Sequence, residues 1–76
     1  PAASAVILAD RVSDNFEFTG IDKALQIKTS DVRIFGKPTT RKYRRMGVAL
    51  ARGRTTDEAI NKAKQAASKV KIKYAD

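Results

Sequence analysis

The sequence contains no cysteine and no histidine. Their absence removes disulfide frameworks, thiol nucleophiles, the usual zinc sites, serine and cysteine triads and imidazole acid–base work. The four glycines, Gly20, Gly36, Gly47 and Gly53, have neither the spacing of a dinucleotide fingerprint nor that of a Walker-type phosphate loop. Long apolar runs are missing too. The longest, Ala5 to Ala9, is far short of the roughly 20 residues that span a bilayer, and no signal-peptide pattern precedes it. A soluble, cytoplasmic protein without membrane contact is expected. Acidic charge is scarce, with 8 Asp and Glu against 16 Lys and Arg, for a net charge of +8. Asp57 and Glu58 are the only adjacent carboxylates, and helix capping accounts for them better than general acid–base chemistry does. No catalytic residue and no metal ligand emerges.

What is present suits a packed domain. The chain has 76 residues, 42% of them hydrophobic, which fits one small domain and is too apolar for a disordered basic tail. It opens on Pro1 rather than Met, which suggests a processed product or an excised piece of something longer. Residues 4–10 are apolar with a β-branched centre and read as a strand buried on both faces. Residues 16–19 alternate as a half-buried strand and stop at Gly20; residues 21–27 allow a helical turn with Ile21, Ala24 and Leu25 on one side. Residues 31–36 and 46–51 alternate again, the second with Met46, Val48 and Leu50 together, and read as an antiparallel pair. Thr55-Thr-Asp-Glu58 has capping-box spacing, so a helix begins there with Ile60, Ala63, Ala67 and Val70 on one face. Val70, Ile72 and Tyr74 then alternate with lysines, as in an edge strand. The expectation is a small α+β unit: an antiparallel sheet or partial barrel of about five strands, with one helix from the C-terminal half packed on it.

Charge is uneven along this plan. Residues 1–32 hold three basic and five acidic side chains, whereas residues 33–76 hold thirteen and three, a net of +10. Nine residues, 37–45, join the two paired strands; they are too polar for core and too long for a tight turn, so a projecting basic loop is expected. Lys37, Arg44 and Arg45 stand near its two anchored ends. Arginine offers a fork matching two phosphate oxygens and lysine a compact charge, so these three suit a phosphate; a solvated hairpin tip is the other reading of the same residues. Arg41, Lys42 and Tyr43 are taken as solvated. The helix lysines Lys62, Lys64 and Lys69 fit a solvated face, or a nucleic-acid backbone if the chain is a free-standing basic module. Phe16, Phe18 and Phe35 sit at alternating strand positions, which favours core over base stacking.

Four stretches carry a resemblance: Pro1-Ala-Ala-Ser-Ala-Val-Ile-Leu8, Val32-Arg-Ile-Phe-Gly-Lys-Pro38, Arg44-Arg-Met-Gly-Val-Ala-Leu-Ala51 and Asp57-Glu-Ala-Ile-Asn-Lys-Ala-Lys-Gln-Ala-Ala67. In order and over nearly the whole chain, they resemble the C-terminal part of the formate-dependent phosphoribosylglycinamide formyltransferases, purine-biosynthesis enzymes of the ATP-grasp superfamily. The resemblance implies a full enzyme that uses ATP and magnesium to activate formate as formyl phosphate, which the amine of glycinamide ribonucleotide attacks. It implies that residues 1–76 are a single C-terminal domain, inactive alone and without its own cofactor. Its partners would be the missing upstream domains and, in the complete enzyme, a second copy in a homodimer. By matching the Phe-Gly-Lys-Pro word and the Arg-Arg pair, it gives Lys37, Arg44 and Arg45 the role of binding the substrate phosphate. Thr40-Arg-Lys-Tyr43 is more basic than the family leads one to expect, which widens the anion patch.

Overall fold

The computed structural model describes residues 1–75. Five strands and two helices follow in the order β1 (Ala2–Leu8), β2 (Phe16–Thr19), α1 (Ile21–Leu25), β3 (Ser30–Ile34), β4 (Arg45–Arg52), α2 (Thr56–Lys69) and β5 (Lys71–Tyr74). The expected α+β unit is present, with its strands divided between two antiparallel sheets, β1-β4-β3 and β2-β5. The pairing of residues 31–36 with 46–51 is the β3–β4 ladder, in which Val32 lies opposite Ala49 and Ile34 opposite Gly47. On the other side of β4, Ala5 faces Ala49 and Ile7 faces Gly47, with a bulge before Leu8.

A helix layer covers only one face of the three-stranded sheet, and this changes two sequence expectations. β1 is not buried on both faces: Ile7 is 5% exposed, but its neighbours Val6 and Leu8 are 47% and 45% exposed. Along β4 the deeply buried positions are Ala49 and Ala51, while Val48 and Leu50 stand half-buried at the alternating positions. Met46, at the start of β4, is fully buried.

The helix face is rotated slightly from the expected one. Of the expected face, Ala63 and Val70 are buried, while Ile60 and Ala67 are only half-buried and Ala59 and Ala66 are buried beside them. Alanine against alanine lets α2 lie close on β4, where the bulkier Ile60 would hold the layers apart. Ile7, Ala24, Ala49, Ala66 and Val70 form one cluster, against which Phe18, Ile21 and Val32 pack. The two sheets therefore share a core. Seven of the ten buried apolar side chains among the described residues are alanine.

In α1 only Ala24 is buried, and Leu25 stays 49% exposed. The helix enters through Gly20 at φ 81°, where a Cβ would collide with the Lys69 carbonyl at the end of α2. Only glycine permits that backbone-to-backbone approach. Ile72 and Tyr74 of β5 turn inward and Lys71 and Lys73 outward, as the alternation predicts. Phe16 and Phe18 are half-buried and pack edge to face, 5.9 Å between centroids, whereas Phe35, at the end of the β3 alternation, is 47% exposed rather than in the core.

Candidate functional site

The segment between β3 and β4 leaves the sheet through Gly36, in the left-handed region at φ 70°, a conformation open to glycine at little cost. Its base is closed by the Phe35 amide, which donates to the Met46 carbonyl at 3.0 Å. Its return is tied to the end of β1, where the Tyr43 amide donates to Ala9 O at 2.8 Å and the Ala9 amide donates to Arg44 O at 3.0 Å. The middle is tied as well: Thr40 is 1% exposed and forms an antiparallel bridge with Ser13. The sequence suggests a projecting loop too polar for core; the structure gives a loop fastened to its neighbour, with one threonine buried.

Lys37, Arg44 and Arg45 come together as expected, on a shallow concavity of about 430 Å³ that they line with Arg41, Lys42 and Tyr43. Arg41 and Lys42 are thus brought to the same hollow, as a wider anion patch requires and a solvated loop middle does not. Arg44 is half-buried, and its Nη1 donates to Thr39 Oγ1 at 3.1 Å and to Thr39 O at 3.3 Å. Lys42 Nζ lies 5.3 Å from the Tyr43 ring centroid. Among the described residues, no carboxylate is within ion-pairing distance of any of these five cations. Five like charges around one hollow, without an internal counter-charge, create a local positive potential that an anion relieves.

A second basic concavity was not legible in the sequence. Lys28, Thr29, Arg52, Gly53, Arg54, Glu58 and Lys62 line it, brought together from separate elements. It differs from the first in holding its own acid. Glu58 accepts the Arg54 amide at 3.1 Å, and its other oxygen is 3.1 Å from Lys62 Nζ. The Arg54 bond chiefly, then Lys62, holds the Glu58 carboxyl below its usual range. The Thr55 hydroxyl does accept the Glu58 amide, at 3.1 Å. The return bond of the capping box, however, goes to Arg54 rather than to Thr55. Lys62 is correspondingly half-buried and paired, not merely solvated.

This fold recurs in a solved structure. N5-carboxyaminoimidazole ribonucleotide synthetase from Thermotoga maritima matches with a TM-score of 0.83 and 28% identity, over 97% of this chain and 21% of that one. The class is therefore a domain of the ATP-grasp enzymes. Residues 2–70 match the family described as PurT, C-terminal, and the chain belongs to that family. Among its curated relatives, the formate-dependent phosphoribosylglycinamide formyltransferase of Geobacter metallireducens is 54% identical over 72 residues, covering 95% of this chain and 18% of the relative. Its counterpart in Vibrio cholerae is 51% identical over 74 residues, covering 97% and 19%. The chain thus spans about a fifth of the length of these relatives. Among the described residues no helix is long and apolar enough to cross a membrane.

Proposed function

We propose that this chain is the C-terminal domain of an ATP- and formate-dependent enzyme that formylates glycinamide ribonucleotide in purine biosynthesis. In that enzyme Lys37, Arg44 and Arg45 supply cations to the phosphate of the ribonucleotide. The observation that carries the reading is the hollow of cations without carboxylate partners, in a family whose relatives bear that enzyme's name. A phosphate dianion placed there accepts the Arg44 and Arg45 guanidinium forks and the Lys37 ammonium. The ribonucleotide is thereby held at an end remote from its reacting amine, and that remote binding energy orients the amine for attack.

ATP and magnesium would supply the activation of formate in the complete enzyme. Among the described residues of this chain, no three Asp or Glu side chains converge as a metal site. In this reading the groups that hold magnesium and ATP would lie on the part of the enzyme outside these residues, which would pack against this domain. The exposed Val6, Leu8 and Phe35 are apolar surface such packing would cover. The complete enzyme would act in the cytoplasm as a homodimer.

Steady-state kinetics of the full-length enzyme test the phosphate role. Arg44→Ala or Arg45→Ala should weaken glycinamide ribonucleotide binding by about 1.5–3 kcal/mol, the worth of a charged hydrogen bond. The constants for ATP and formate should move far less. Because Arg41 and Lys42 share the hollow, the controls are Lys64→Ala and Lys73→Ala, which should leave all three constants unchanged. An Arg44 effect confined to ATP would remove the assignment.

A further inference from the structure

The loop that carries the cations is exposed at every position from Phe35 to Tyr43 except one. Thr40 is 1% exposed, and the residue it bridges, Ser13, is 3% exposed. Neither belongs to the hydrophobic cluster. Thr40 is instead enclosed by hydrogen bonds to a second loop. Its amide donates to Ser13 O at 2.7 Å, and the Ser13 amide donates back to Thr40 O at 3.4 Å. Its hydroxyl donates to Arg11 O at 2.8 Å and stands 3.3 Å from Ser13 O. Ser13 is itself held in a tight turn, since its Oγ accepts the Asn15 amide at 3.0 Å. The receiving loop is therefore ordered by its own bonds.

The clasp acts on the hollow through one short link. Thr39, next to Thr40, gives Arg44 both of its bonded acceptors, the side-chain Oγ1 and the backbone carbonyl. Where Thr40 is held, Thr39 is held, and the Arg44 guanidinium is aimed. The bonds from Tyr43 and Arg44 to Ala9 fix the other side of the same segment. A loop with five mutually repelling cations would otherwise spread, and a ligand would have to order it on binding.

We propose that Thr40, clasped to the Arg11–Ser13 turn, is a positioning residue that presets the cation hollow for a phosphate ligand. The inference rests on the phosphate reading of Lys37, Arg44 and Arg45 and deepens it. Thr40 touches no ligand and acts through Thr39 and Arg44.

The test is steady-state kinetics on the full-length enzyme with glycinamide ribonucleotide and ATP varied in turn, for Thr40→Val, Thr40→Ser, Arg44→Ala and the Thr40→Val/Arg44→Ala double variant. Valine keeps the shape and removes the hydroxyl, so Thr40→Val should raise the KM for the ribonucleotide by about three- to tenfold, the worth of one hydrogen bond. The KM for ATP should not move and kcat should stay within about twofold. Thr40→Ser should restore most of the loss. In the double variant, Thr40→Val should add less than it does alone, because its effect passes through Arg44. An effect of Arg44→Ala without any of Thr40→Val would overturn this inference and leave the phosphate reading standing. No effect of Arg44→Ala would remove both. Equal shifts in both KM values, tracking a lowered thermal midpoint, would make Thr40 a fold residue only and overturn the positioning role.

Discussion

Arg44 and Thr55 show what single side chains do here. Arg44 already spends one guanidinium nitrogen on Thr39, which leaves its remaining donors fixed in direction. Replacing it by lysine keeps the charge but not the fork, and an ammonium cannot bond Thr39 and a two-pronged ligand in the same plane. Arg44→Lys should therefore recover only part of the ribonucleotide affinity lost in Arg44→Ala, as the KM for that substrate will register. Thr55 does a different job, accepting the Glu58 amide as the N-cap of α2. Thr55→Ala should lower the stability of the domain by about 0.5–2 kcal/mol, read from the denaturation midpoint. Thr56 cannot take over the bond without shifting the helix start.

At the level of elements, the first turn of α2 is an electrostatic knot whose strength depends on pH. Glu58 is held below the ordinary carboxylate value of 4.5 by the Arg54 amide and Lys62. A carboxylate with a depressed folded value binds fewer protons when folded. Its stabilisation is complete above about pH 4.5 and is lost as the pH falls through the folded value. Denaturation midpoints followed from neutral to about pH 3 should show this acid limb, and Glu58→Gln should flatten it. The cap itself was legible, because a Thr and a Glu three residues apart sit side by side on any helix start. The strands β3 and β4 were legible for a similar reason, since alternation is local. What the sequence did not reveal depends on partners distant in the chain. Which of Ile60 or Ala59 faces inward is decided by how close β4 allows α2 to come. Whether β1 is covered on one face or two depends on how many layers there are. Lys37, Arg44 and Arg45 could be paired from spacing alone, whereas Thr40 looks like any loop threonine until Ser13 is beside it. The second basic hollow draws Lys28, Arg52 and Lys62 from three segments, and no local pattern joins them.

The whole molecule measures 41 × 20 × 16 Å, a slab with helices on one side of its larger sheet. Calorimetry of the 76-residue chain with ATP should find no saturable site that depends on magnesium and survives competition by inorganic phosphate, because any anion binding on this domain belongs to the cation hollow. A magnesium-dependent isotherm that phosphate does not displace would mean that the nucleotide site extends into this domain. The two-stranded β2–β5 sheet would be marginal alone, but Phe18 and Val70 place it on the common core. Tyr74 adds a strap between the sheets, its hydroxyl accepting the Asp10 amide at 3.1 Å while Arg11 lies 4.5 Å over its ring. The alanine contact between α2 and β4 has a consequence in entropy. An alanine loses no rotamer freedom on burial, unlike a leucine or methionine. The fully buried face of α2 therefore docks without freezing rotamers, which favours a chain too short to gain much from apolar area. The same contact leaves no adjustable part. A longer side chain at Ala66, which is fully buried in one cluster with Ala49, would push on β4, the strand that begins at Arg45.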